Sequence, residues 1–442
     1  MKKIAAVLLA VVFCLPLLVF AAAAETPMKS IAEESVPDPT GVSAATVYNP
    51  ENDLYIYEYN ADTVLAPASL VKLMTALCAY EALSERLDET ITVEYSMIRD
   101  AVGNQVGYYV GEAVPIRDLF AGLLVRGAND SALLLCHAAD GGTAAFVERM
   151  NLKAQSLGMT NTVLKNASGM TEEGMVTTAR DMVKAACAFY EVGFLTELSG
   201  AVKYTMPATN KYGERLLYNR NALVSQVSEA GYFDTRLKGL NAGSTSEAGY
   251  CTASVAEKEN LTYIIIVMGG HFNEGEKNPA YTMASALCGY ALEQFGYVEV
   301  ISAGKLVCEI PVSLSADADY VTLVPAESLT LYLPRSLDIK TDLTYAYRLE
   351  YEVLEAPVTE GAAVGVYTVS KNGRSLGSVK LITKNSLPRS DFLALLDSID
   401  RFTHSVFFKA ALLAALLLTV LYFAIRTVVR RARRRRGRYS RR

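Results

Sequence analysis

The sequence predicts an α/β domain built on an antiparallel sheet with a helical subdomain, then a small all-β domain and one C-terminal transmembrane helix. Three observations carry this. Hairpin-like strand pairs flank a long helical stretch, which is the pattern of an antiparallel sheet packed with helices. Beyond Gly296 helical periodicity gives way to short strand-like runs. From Val406 to Ile425 the chain carries Lys409 as its only charge, about the length that one helix needs to cross the hydrocarbon.

Residues 1–24 read as a signal peptide: Lys2 and Lys3 precede the apolar run Ile4 to Phe20, and Ala22-Ala23-Ala24 is a small-residue cleavage signal. A retained N-terminal anchor is the rival reading, but the run is short for a span. Residues 25–41, with Pro37 and Pro39, read as a flexible leader. The α/β domain is expected over 42–296. Ala44 to Tyr48 and Leu54 to Tyr59 are β-type runs around the turn Asn49-Pro50-Glu51-Asn52-Asp53, hence a hairpin. A helical block then runs from about Pro67 to Met182. Within it Ile116 to Val125 and Ser131 to Ala139 are periodic, and Gly141-Gly142 breaks the chain before Thr143 to Leu157. Thr177 and Thr178 ahead of Asp181 mark another helix start. Gly249 to Val255 and Leu261 to Met268 form a second hairpin, and Pro279 to Phe295 returns to helix.

The β-rich stalk domain is expected over 297–388, with strands at Val298–Ile301, Lys305–Val312, Tyr320–Val324, Ser328–Leu333, Tyr345–Val353, Gly365–Lys371 and Arg374–Ile382. A linker helix at 389–404 leads into the transmembrane helix at 405–427. The tail, 428–442, contains Arg430, Arg431 and Arg433 to Arg436, so the positive-inside bias puts it in the cytoplasm and the main domains outside.

Charge narrows the function classes. Setting aside the terminal Lys2, Lys3, Lys409 and the ten Arg from Arg426 onward leaves 29 bases against 47 acids, near −18. A domain that acidic lacks the basic face that displaces counterions from nucleic acid. Six cysteines lie outside the signal segment, with no CxxC or CxxxC pair, so a zinc site is not expected and free thiols are favoured over disulfides. No phosphate loop or cofactor signature occurs. His137 reads as a packed or edge residue, His271, at a strand end after Gly269-Gly270, as a surface-loop residue with lining of the cleft as the alternative, and His404 as a membrane-boundary residue.

Chemistry centres on Pro67-Ala68-Ser69-Leu70-Val71-Lys72-Leu73-Met74-Thr75, where Ser69 and Lys72 share a helix face at i and i+3. A hydroxyl needs a neighbour to remove its proton, and a desolvated lysine can do so once its pKa falls. The spacing alone is weak, since Ser302 and Lys305 repeat it outside any helical pattern. The wider pattern adds to it. The stretch from Pro67 to Thr75 resembles the nucleophile motif of the serine D-alanyl-D-alanine carboxypeptidases, the low-molecular-weight penicillin-binding proteins. Leu123 to Ala132 resembles their second motif, Asn166-Ala167-Ser168-Gly169-Met170 with Thr178-Ala179-Arg180-Asp181 their landmark loop and helix, and Gly239 to Cys251 their third motif. The resemblance spans roughly Val42 to Phe295, and implies a penicillin-binding and serine β-lactamase-like domain.

It also implies a mechanism. Ser69 attacks the carbonyl between two D-alanines, with Lys72 as base, and the backbone N–H groups of Ser69 and Ser244 hold the oxyanion. The family's Ser-x-Asn motif, however, has Gly127 at the serine position and keeps only Asn129, and its Lys-Thr-Gly motif reads Asn241-Ala242-Gly243. Lys238 lies three positions from Asn241, which in a regular strand is the opposite face. Asn241 still offers a neutral donor, and Ser244 or Thr245 a hydroxyl. The implied function is removal of the terminal D-alanine from peptidoglycan stem peptides, with stem peptides and β-lactam antibiotics as ligands, a membrane attachment and no cofactor. The alternative is a non-catalytic cell-wall peptide binder or scaffold of the same fold. A β-lactamase is harder to square with the span and the β module.

Overall fold

The computed structural model describes residues 36–229 and 231–439. The expected signal peptide and most of the expected leader lie outside the described residues. The described chain divides into two compact units, split in sequence between residues 296 and 297, with 334–336 grouped with the first.

In the first unit a five-stranded antiparallel sheet is built from β1 (Ala44–Asn49), β2 (Leu54–Tyr59), β3 (Leu237–Thr245), β4 (Gly249–Lys258) and β5 (Leu261–Gly270), in the order β2-β1-β5-β4-β3. Both expected hairpins form, β1 with β2 and β4 with β5. Ile264 to Met268 on the central β5 are all fully buried, as a strand covered on both faces requires. Because β3 is at the end of the order, one of its sides is unpaired, and this edge bears the third motif.

The helices are α1 (Val71–Leu83), α2 (Ile116–Leu124), α3 (Asn129–Asp140), α4 (Thr143–Ser156), α5 (Ala179–Tyr190), α6 (Gly193–Gly200) and α7 (Pro279–Gln294). Apolar nearly all round, α1 is a central helix, and Val71 to Ala79 are buried. Thr178 caps α5 by accepting from Asp181 N, as its sequence signal predicts. The helical block expected from Pro67 to Met182 is interrupted. Between α1 and α2 lie a ribbon of Thr90–Thr92 with Ala113–Pro115, a one-turn helix at Tyr95–Ile98 and an irregular loop over 101–112. Side chains of the helical subdomain fix that loop: the Asp130 carboxylate accepts from Val106 N and Gly107 N, and buried Glu112 is paired with Arg215 at 2.6 Å. Burial pushes the Asp130 carboxyl upward, opposed by these backbone N–H groups.

The second unit is mostly β. β6 (Phe295–Ile301) pairs with β9 (Leu329–Pro334), and a six-stranded sheet joins β7 (Cys308–Ser313), β8 (Tyr320–Pro325), β10 (Thr344–Leu349), β11 (Leu354–Glu355), β12 (Ala363–Lys371) and β13 (Arg374–Thr383). The strand expected over 345–353 stops at Leu349, and Leu354–Glu355 instead pair in parallel with β7. Its apolar residues form two small cores, one around Ile310, Leu323 and Val364, the other around Ile301, Val369 and Val379. Helix α8 (Asp391–His404), capped by Ser390, precedes α9 (Val406–Tyr439), of which Val406–Arg431 is long and apolar enough to cross a membrane. The six cysteines expected to be unpaired are free thiols.

Candidate active site

Pro67 leads into a single 3₁₀ turn, Ala68–Leu70, that delivers Ser69 one residue before the α1 start at Val71. Ala68 takes a left-handed φ of 45° while buried, a conformation disfavoured for a side chain with a Cβ, so the turn is held by its surroundings. Ser69 is half-buried and Lys72, one turn on, is 1% exposed. Lys72 Nζ donates to Ser69 Oγ at 3.3 Å and to the Ser168 carbonyl at 2.5 Å. No carboxylate is paired with it among the described residues, and burial brings its pKa down to about 7. A neutral amine beside a hydroxyl is what proton abstraction near pH 7 requires.

The loop that supplies the Ser168 carbonyl is itself anchored to α1. Thr75 Oγ1 donates to the Ala167 carbonyl at 2.7 Å, and Asn166 Oδ1 accepts from Ser168 N and Gly169 N. Gly169 is required there: its φ is +82°, and a Cβ on it would lie 2.0 Å from the Ala68 oxygen. Sequence reasoning recognised this loop as a landmark but gave Ser168 and Gly169 no role in holding the lysine. The signal for it was the Asn-x-Ser-Gly turn chemistry.

On the other flank of Ser69 runs β3. Asn241 Nδ2 donates to the Ser69 carbonyl at 3.0 Å, and a Cβ on Gly243 would sit 2.5 Å from Ser69 Oγ. Asn241 and Gly243, two apart, therefore share the Ser69 face, and Ala242 between them alternates to the other. Ser244 pairs across strands with Tyr250 and lines an open cavity of about 460 Å³ with Thr245, Ser246 and His271. The expectation that Lys238 falls on the opposite face from Asn241 needs correction. A β-bulge at Leu240 inserts an extra residue, so Lys238 opposes Val255 and Asn241 opposes Ala253, two positions apart on one face. Lys238 is exposed and ion-paired with Glu257 at 2.5 Å.

Of the second motif, Asn129 opens α3 and is 5% exposed. Its Nδ2 donates to the Val102 carbonyl at 2.5 Å, and its Oδ1 has no hydrogen-bond partner among the described residues. Gly127 takes a φ of +68°, and a Cβ on it would meet only Asn104 Nδ2, at 3.8 Å. The structure thus gathers Ser69, Lys72, Asn241 and Gly243 with Ser168 and Gly169. Gly127 and Asn129 lie with the 101–107 loop. Met170, next to Gly169, lies near that loop: its Sδ is 3.9 Å from where a Cβ on Gly103 would be. His137 lies at the α3 terminus, its Nδ1 3.2 Å from the Gly141 carbonyl. Among the described residues no cluster of three His, Cys, Asp or Glu is placed to hold a metal ion.

Residues 37–271 match a family described as D-alanyl-D-alanine carboxypeptidase, and residues 295–389 match the C-terminal domain of penicillin-binding protein 5. The chain is 26% identical to the D-alanyl-D-alanine carboxypeptidase DacF of Bacillus subtilis over 77% of its length and 84% of that protein's. It is 27% identical to DacA of Escherichia coli K12, over 79% of this chain and 85% of that one. In fold it resembles penicillin-binding protein 5 of Haemophilus influenzae, with a TM-score of 0.56 at 22% identity, covering 80% of this chain and 99% of that one. Penicillin-binding protein 6B of Escherichia coli gives a TM-score of 0.58 at 20% identity, over 80% and 99%.

Proposed function

Since the chain belongs to the D-alanyl-D-alanine carboxypeptidase family, we propose that it is a serine peptidase that removes the terminal D-alanine from peptidoglycan stem peptides through an acyl group on Ser69. One observation carries the reading: a fully buried lysine without a carboxylate partner has its Nζ 3.3 Å from a half-buried serine hydroxyl. Ser69 Oγ adds to the carbonyl carbon of the penultimate D-alanine while its proton passes to Lys72 Nζ. The 3.3 Å separation closes as substrate binds, as hydrogen bonds between catalytic groups commonly do. The resulting oxyanion is held by the backbone N–H groups of Ser69 and Ser244, donors that do not depend on side-chain identity. Collapse breaks the peptide bond, the proton returns to the leaving amine, and D-alanine departs. Water then attacks the Ser69 ester with Lys72 again as base, releasing the trimmed peptide. β-Lactams, which acylate the same serine, are ligands on this reading.

Asn129 Oδ1 is buried and has no hydrogen-bond partner among the described residues, so it would accept an N–H from the peptide only after the side chain turns towards the cleft. Asn241 offers a neutral donor where the family has a charged one. Replacing a charge-assisted hydrogen bond by a neutral one costs about 1.5–3 kcal/mol at most, or roughly 10- to 150-fold in rate, and losing the second-motif hydroxyl as a proton relay costs about 10²- to 10⁴-fold, so the departures slow the site while leaving its nucleophile and base in place. Nothing in the Ser69–Lys72 geometry favours the non-catalytic alternative. The apolar segment Val406–Arg431 anchors the chain in the membrane on this reading, with the arginine-rich tail in the cytoplasm and the catalytic unit outside.

The test is intact mass and D-alanine release after incubation with a penicillin and with a D-Ala-D-Ala peptide. The wild-type chain is expected to gain one acyl adduct and to release D-alanine, and Ser69→Ala to do neither. Stoichiometric peptide binding with neither adduct nor release would establish the binder instead.

A further inference from the structure

Asn104 has no part in the motifs, yet it stands where the second motif has lost its hydroxyl. A Cβ built on Gly127 would lie 3.8 Å from Asn104 Nδ2, with no other atom within 4 Å. A serine hydroxyl, one bond further out, would share the space that this carboxamide reaches. The loop bearing Asn104 is firmly tied to the start of α3. The Asn104 carbonyl accepts from Asn129 N at 2.7 Å, the Val102 carbonyl from Asn129 Nδ2, and Val106 N and Gly107 N donate to Asp130 at 3.1 and 2.8 Å. The neighbouring Gly103 lies against Met170, which follows Gly169, the glycine pressed against the Ser69 turn. The Asn104 side chain is exposed and makes no hydrogen bond among the described residues.

The other two carboxamides of the site each have one amide N–H already committed. Asn129 Nδ2 is bonded to the Val102 carbonyl, and Asn241 Nδ2 to the Ser69 carbonyl. An amide N–H cannot pass on a proton at neutral pH, so this carboxamide cannot relay as a hydroxyl can; it can only hold a partner, as a donor from Nδ2 or an acceptor at Oδ1. The acceptor most in need of a donor is the terminal carboxylate of the leaving D-alanine, because the third motif has Asn241 in place of a lysine. We propose that Asn104, standing beside the position of the missing second-motif hydroxyl, donates from Nδ2 to that carboxylate. This rests on the carboxypeptidase reading.

The experiment compares kcat/KM for a peptide ending in D-Ala-D-Ala with its C-terminal amide, for wild type, N104A, N104D, G127S and N104A/G127S. The Asn104 carbonyl that anchors the loop is backbone, so N104A and N104D are expected to keep the wild-type thermal midpoint. On the free acid, N104A is expected to lose about 10- to 150-fold, the worth of one charge-assisted hydrogen bond, and little on the amide. N104D, which removes the donor and adds a like charge, is expected to lower the acid-to-amide preference further. In the G127S background, removing the Asn104 carboxamide is expected to cost several-fold less, since a hydroxyl again occupies the site. Equal losses on acid and amide would overturn the proposal in favour of a structural role, as would variants within twofold of wild type on both peptides. A wild-type chain with neither turnover nor penicillin adduct would overturn the carboxypeptidase reading itself, and this proposal with it.

Discussion

On one flank of the cleft, Ser69 and Lys72 are held by main-chain atoms: the Ser168 carbonyl accepts from Lys72 Nζ, and Gly169 crowds the serine turn where no side chain fits. On the other flank, the second and third motifs work through side chains, and there Gly127 and Asn241 replace a serine and a lysine. The difference teaches where such a site tolerates change. A position defined by backbone packing cannot vary without moving the nucleophile, because a main-chain oxygen 2.0 Å from a would-be Cβ leaves no room. A position defined by a reaching side chain can vary, and a neighbour such as Asn104 or Asn241 can occupy part of its space.

The sharpest way to break this contrast is at Lys72. Lys72→Met is expected to lower kcat/KM by about 10²- to 10⁴-fold, the usual worth of a positioned proton acceptor. In the wild type, with the amine neutral only above about pH 7, kcat/KM should fall as pH drops through 7, by about 100-fold at pH 5. A flat profile from 5 to 8 would remove Lys72 from the role of base. The same shift makes a stability statement. An unfolded lysine keeps its proton to about pH 10 whereas folded Lys72 releases it near 7, so across that window the unfolded state binds more protons and stability rises with pH. Thermal melts of Lys72→Met should lose that slope and lie above the wild type at pH 7.

A smaller effect is expected on the same flank at Gly169. Gly169→Ala forces a Cβ against the Ala68 carbonyl at a φ of +82°, and is expected to cost about 1–3 kcal/mol as overpacking, with loss of acylation as the Ser168 carbonyl shifts. Denaturant unfolding alongside penicillin adduct formation checks both, and a stable, fully acylating variant would show that the backbone flank is less rigid than its contacts imply.

The smallest effect, and the one of opposite sign, belongs to the variable flank. Asn241→Lys with Ala242→Thr is expected to raise kcat/KM by about 10- to 150-fold, the charge-assisted bond regained. A second ammonium on the Ser69 face should also lower the Lys72 pKa further, moving the acid limb of the pH profile to lower pH. Unchanged turnover would mean that these departures do not limit the rate.

Much of the fold was legible because periodicity and turn chemistry are local. The β1–β2 and β4–β5 hairpins, the Thr178 cap and the strands of the second unit follow from residues a few positions apart. Less legible was the stretch between α1 and α2, where distant Asp130 and Arg215 hold the chain in a loop. Lys238 marks the limit of parity arguments, since one bulged residue at Leu240 reverses which side chains share a face.

At the site, sequence alone determined which chemical groups are available: a serine and a lysine one helical turn apart, an asparagine, and missing hydroxyl and ammonium groups. Only the tertiary structure decided their state. Burial of Lys72 by the surrounding helices lowers its pKa, a loop almost a hundred residues away supplies the carbonyl that holds it, and β3 brings Asn241 and Gly243 to Ser69 from 172 residues further along. The physical reason is that desolvation and close approach depend on what surrounds a group in space, and the order of residues along a chain specifies that only after the chain has packed.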